Sequence, residues 1–253
     1  MRPTSVAYAR SSDYGVRLGR GFDSPRLHLF IGHFAVGFAA KRAAPRTSLG
    51  LLIAAPAFLD ILWPVFLALG WERVHIEPGN TAFTPLNFEW YPWSHSLLMS
   101  VVWGLVVGGI YWAIRRDKRG AVVLGLLVFS HWVLDFVTHR ADMPIDPGGR
   151  VRVGLGLWNH PAATVVIESL LYAAGIWLYV RTTKALDRIG QWALAGFVLV
   201  LAAIYVGASF GPPPPDVKTI VVTSFGLWLF PVWAWWIDRH RGVVAPASTP
   251  GQL

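Results

Sequence analysis

The strongest constraint on this chain is a recurrence: long apolar windows separated by short polar or basic connections. The windows are Leu27–Ala40, Thr47–Gly70, His95–Ile114, Gly120–Thr138, Ala162–Val180, Gln191–Phe210 and Thr219–Ile237. Most approach the roughly 20 residues that cross a bilayer as a helix. In hydrocarbon, only a helix or a closed barrel satisfies its own backbone polar groups. The expectation is an all-α polytopic transmembrane bundle of about seven spans over residues 27–238, with a tail from 239 to 253. The first window has only 14 residues, short enough to be re-entrant. Composition agrees: 54% of residues are hydrophobic and 14% charged, against roughly 25% charged in an ordinary soluble domain. No internal repeat is visible, and Gly211–Pro215 reads as a stiff extended turn between the last two windows.

The net charge of +8 could point to nucleic acid, but in a membrane chain basic connections report topology and anionic lipid. Twelve lysines and arginines, from Lys41 to Arg241, fall in connections on one side. Five fall on the other: Arg73, Arg140, Arg150, Arg152 and Lys218. The richer side is expected to be cytoplasmic. Seven spans then put the N-terminus outside and the C-terminus inside. Residues 1–26, with Arg2, Arg10, Arg17, Arg20 and Arg26, oppose that orientation. They read as a basic extension, disordered or not native, with the natural start near Leu29.

There is no cysteine, so thiolate metal sites, iron–sulfur clusters and cysteine nucleophiles are excluded. A metal would have to bind His, Asp or Glu. Ionisable residues within or at the lips of the apolar windows are His33, Asp60, His95, His131, Asp135, His139 and Glu168. Such residues are costly in a membrane and mark function by default. With the orientation above, all seven fall at mid-membrane or in the outer half.

The stretch "FSHWVLDFVTHR", Phe129 to Arg140, is the densest case. A helix rotates about 40° per four residues, so His131, Asp135 and His139 are expected on one narrow stripe. Imidazole and carboxylate donors suit a divalent cation such as zinc, manganese or iron. The metal ligands expected are His33, Asp60, His95, His131 and Asp135, with zinc as first choice. Glu168 or His139 is expected to act as general base or acid, and Ser94, Ser130 and Thr138 are the expected supporting hydroxyls. The plainer alternative makes His131 and Asp135 a hydrogen-bonded pair that packs the bundle. His28, His75 and His240 read as surface, and Trp90, Tyr91, Trp93 and Trp158 as an interfacial aromatic belt. No H-E-x-x-H, G-x-S-x-G or Walker loop occurs.

"GHFAVGFAAKR" with His33, "AAPAFLD" with Asp60, "WSHS" with His95 and "SHWVLD" with His131 and Asp135 resemble the bacterial inner-membrane, metal-dependent hydrolases of the YdjM type. The resemblance covers about Leu29 to Tyr179. It departs at Trp93 and Ser94, where that family leads into His-Ser with Arg-x-x-Thr, and at Leu59, where a second acidic residue is missing. The order of motifs is also similar, distantly, to the zinc-dependent phospholipase C superfamily. The resemblance implies a metal-dependent hydrolase, with a phosphoester on a lipid or lipid-linked molecule as substrate at the outer membrane face. The alternative is a transporter or permease that uses the buried His and Asp as a proton or cation relay.

Overall fold

The computed structural model describes residues 30–244. The expected extension at 1–26, with His28 beyond it, and the last part of the tail lie outside them. The chain opens with α1 (Phe30–Ala43), α2 (Leu49–Ala54) and α3 (Phe58–Ala68). The strands β1 (Arg73–Ile76) and β2 (Leu86–Trp90) and the single turn α4 (Pro92–His95) lead to α5 (Leu97–Arg115) and α6 (Lys118–Thr138). After β3 (Met143–Pro144), β4 (Arg152–Val153) and a 3₁₀ turn at Leu157–Asn159 comes α7 (Pro161–Thr182). Then β5 (Thr183–Ala185), α8 (Arg188–Phe210), α9 (Val217–Ser224), a 3₁₀ turn at Phe225–Trp228, α10 (Leu229–Arg239) and β6 (Arg241–Val243) complete it.

Five segments among the described residues are long and apolar enough to cross a membrane: α5, α6, α7, α8 and the composite Val217–Arg239. They match the last five windows. Among the described residues the first two windows form no helix of that length. The 14 described residues of α1 reach about 21 Å, short of the roughly 30 Å hydrocarbon core. The window Thr47–Gly70 is split at Ala55–Ala57, because Pro56 has no N–H to continue the ladder. The all-α expectation also needs amending. Three antiparallel two-stranded ribbons occur, β1–β2, β3–β4 and β5–β6. The last one ties the start of the expected tail to the α7–α8 connection, Thr183 opposite Val243.

Helix α5 is apolar outside and mostly small inside. On α5 the buried residues are Ser100, Gly104, Gly108 and Tyr111, whereas Leu105 is 72% and Ile114 73% exposed. That inversion fits a lipid environment, where close helix approach replaces hydrophobic burial as the adhesive. Gly104 and Gly108 form the seam with α6: a Cβ at either would lie 2.7 Å from the carbonyl oxygen of Gly125 or Ala121. A second close approach joins α1 to α7 at Ala35 and Gly175. Around it Phe34, Phe38, Tyr179, Phe197 and Phe230 interlock edge to face, with centroids 5.4–6.3 Å apart.

Candidate metal centre

Each donor sits near a helix end at one end of the bundle. His33 is in the first turn of α1, Asp60 in the first turn of α3, and His95 closes α4 just before α5. His131 and Asp135 lie in the last two turns of α6. All five are buried. The break at Pro56 matters here, because its carbonyl oxygen accepts the His131 Nδ1–H at 2.7 Å. That bond leaves the lone pair on Nε2.

His95 is fixed from the other side. Glu72 accepts both the Ser94 backbone N–H and the Ser94 Oγ–H, each at 2.7 Å. With its proton directed at Glu72, Ser94 Oγ receives the His95 Nδ1–H at 2.6 Å. With Glu72 ionised, the His95 lone pair is therefore also on Nε2. Burial pushes the Glu72 carboxyl up to about 7, against the Ser94 hydrogen bonds that favour its ionised form.

The two lone-pair nitrogens face each other at 3.2 Å. Asp135 Oδ2 is 3.1 Å from His131 Nε2 and 3.8 Å from His95 Nε2. Asp60 Oδ1 is 3.5 Å from His95 Nε2 and 3.8 Å from His131 Nε2. Donors held at 2.0–2.2 Å around a tetrahedral ion are about 3.3–3.6 Å apart, so these separations suit a shared ion. The fifth donor, His33, stacks on the His131 ring at 3.8 Å and 3°. Its Nε2 is 3.2 Å from Asp135 Oδ1. Two overlapping triads could hold an ion, His33–Asp60–His131 and His95–His131–Asp135. Two carboxylates and facing lone pairs in a nearly dry space call for compensation, either by protons or by a bound cation.

Glu168 and His139 lie outside these triads. Glu168 is fully buried on α7, facing the Ile31 amide and the Asp135 carboxylate, with neither oxygen in hydrogen-bond geometry. His139 caps α6 with its N–H still bonded to Asp135 O at 2.8 Å, and the chain turns away only after it, at ψ 147°. Its Nδ1 pairs with Asp142 Oδ1 at 2.9 Å, and its ring lies 4.2 Å from Trp158. The aromatic belt is corrected at the same place. Tyr91 and Trp158 are buried over His139 as a lid of core residues, while Trp93 is exposed. Of the expected hydroxyls only Ser94 supports a donor. Ser130 and Thr138 turn back to carbonyls of their own helix, at Leu127, Leu134 and Asp135. Glu72 escaped the sequence reading; its only signal was an acidic residue at the lip of an apolar window. His75 and His240 meet Glu89 and Asp187 near the surface, as expected.

No protein-family model, curated protein or solved structure matches the chain. What the centre does must be argued from its own geometry.

Proposed function

We propose that the protein is a membrane-embedded, metal-dependent hydrolase of a phosphoester on a lipid or lipid-linked substrate, with zinc as its ion. The observation that carries this reading is the pair of donor triads that share His131, His33–Asp60–His131 and His95–His131–Asp135, with the imidazole lone pairs of His95 and His131 turned toward each other by fixed partners. A pair that merely packed the bundle would not need two tautomers locked toward one point. A divalent ion in such a site acidifies a water molecule and polarises a phosphoryl oxygen. Asp60 and Asp135 offset its charge, and Pro56 and Ser94 keep the imidazoles aimed. Glu168, beside Asp135, takes the proton of the attacking water and returns it to the lipid oxygen as the P–O bond breaks. The bond of His139 to Asp142 supports a structural role for that ring.

The outer-face location rests on charge. Arg115, Arg116, Lys118 and Arg119 join α5 to α6 at the end opposite the donors, which supports a cytoplasmic assignment for that end. A relay for transport would string polar groups at successive depths. The donors instead gather at one end, which favours hydrolysis.

The test is metal content of the purified protein by mass spectrometry, beside His131→Ala and Asp135→Ala, with phosphate-ester release from phospholipid vesicles followed in parallel. Stoichiometric metal in the wild type, lost in both variants, is the expected result. A wild type without metal, or variants that retain it fully, would overturn the proposal.

A further inference from the structure

Asp60 differs from the other donors in one respect. Its side chain is 12% exposed, whereas those of His33, His95, His131 and Asp135 are 0–2% exposed. The space it borders is a cavity of about 430 Å³ between α3, α8 and the α9–α10 arm, within the roughly 300–1,000 Å³ range of small-molecule sites. Among the described residues, Asp60 is the sole ionisable group lining it.

The walls are built for a chain. On α8 they are Val200, Ile204 and Ala208, one stripe at a spacing of four that runs along about 12 Å of helix. Opposite, the 3₁₀ turn Phe225–Trp228 interrupts what would otherwise be one continuous helix. Gly226 sits in that turn, and a Cβ there would meet no atom within 4 Å. Val200, Ile204 and Leu229 are also exposed on the outer surface, so the cavity opens where acyl chains lie. Water would find few partners inside. Apart from Asp60 the polar side-chain groups of the lining are the Thr223 and Ser224 hydroxyls and the indole N–H groups of Trp63 and Trp233, and Thr223 Oγ1 already donates to Thr219 O at 2.7 Å. Space with so little polar lining and a mouth on lipid takes up hydrocarbon.

We propose that this cavity holds the aliphatic chain of a bilayer lipid and brings the phosphoester at its polar end to Asp60, and through Asp60 to the metal centre. The proposal rests on the hydrolase reading and adds the substrate class and the route. The substrate is a chain-bearing phospholipid that enters sideways from the membrane past α8 and α10. A soluble phosphoester arriving from the aqueous side is not the substrate.

The full-length protein is reconstituted in phosphatidylglycerol vesicles containing a tracer phospholipid with a diazirine in its acyl chain. The vesicles are irradiated, and adducts are mapped by peptide mass spectrometry. Gly226→Phe fills the cavity from one wall, and Ala208→Leu, read in parallel, fills it from the other. Adducts at Ile204, Ala208 and Leu227 are expected in the wild type and should fall several-fold in either variant. Adducts at Leu105, which simply faces lipid, should not change. Metal content measured on the same samples should stay at the wild-type level in both variants. Labelling at Ile204 and Ala208 that is no stronger than at Leu105, or that survives filling of the cavity, would overturn the chain-binding proposal. Absence of metal from the wild type would instead overturn the hydrolase reading, whatever the labelling shows.

Discussion

Replacing Ser94 by alanine isolates the way the fold aims its ligands. The substitution leaves all five donors in place. It removes one hydroxyl and with it two hydrogen bonds, the one given to Glu72 at 2.7 Å and the one received from His95 Nδ1 at 2.6 Å. A bond to a charged partner contributes about 1.5–3 kcal/mol. Groups that orient a ligating imidazole typically control 10–100-fold in metal affinity, or about 1.4–2.7 kcal/mol. Glu72 keeps the Ser94 backbone N–H, so the chain should still fold. Ser94→Ala is therefore expected to bind the same number of ions about 10–100-fold more weakly. Competition with a chelator of known affinity, at fixed pH in detergent, measures this. Ser130→Ala is the control, because its hydroxyl bonds only to Leu127 O of its own helix, and its affinity should match the wild type. If Ser94→Ala bound metal as tightly as Ser130→Ala, the Glu72–Ser94–His95 relay would have no part in holding His95, and the tautomer argument would fall with it.

Two further outcomes follow from the same geometry. The folded Glu72 carboxyl is raised to about 7 from an ordinary value near 4.5, so the native state holds that proton more tightly than the unfolded chain does. Its contribution to stability is then greatest below the ordinary value, is lost as pH rises towards 7 and levels off above it. The difference in thermal midpoint between wild type and Glu72→Gln, followed across that window, should show this slope, with a ceiling of about 3 kcal/mol. A pH-independent difference would refute it. At the other end of the bundle, buried Lys41 Nζ meets Asp238 Oδ1 at 2.7 Å and Thr47 O at 2.9 Å. Lys41→Met, which strands Asp238, should cost about 3–5 kcal/mol, and adding Asp238→Asn should recover much of it. Additive losses in detergent melts would show that the pair is not coupled.

The sequence by itself determined the membrane-helical class of the fold and singled out the ionisable residues that the fold gathers at one end. Of the two structures that span hydrocarbon, apolar windows of about 20 residues match the helix, so α5 to α8 and Val217–Arg239 were legible from length alone. Ionisable residues in such windows are rare enough to stand out individually, which is why His33, Asp60, His95, His131 and Asp135 could be named before any geometry. Tertiary structure decided what depends on contacts distant in the chain. The break at Pro56 is visible as a residue, but that its carbonyl would meet His131, 75 positions away, is not. Glu72 looked like a loop residue until Ser94 was beside it. His139 ends α6, and the turn that follows brings Asp142 to its ring; a helical spacing carries no information about where the helix ends. Periodicity fixes what one helix presents to its surroundings. Which lone pairs face one another depends on how separate helices pack, and in this protein that packing is set by glycine seams and broken turns.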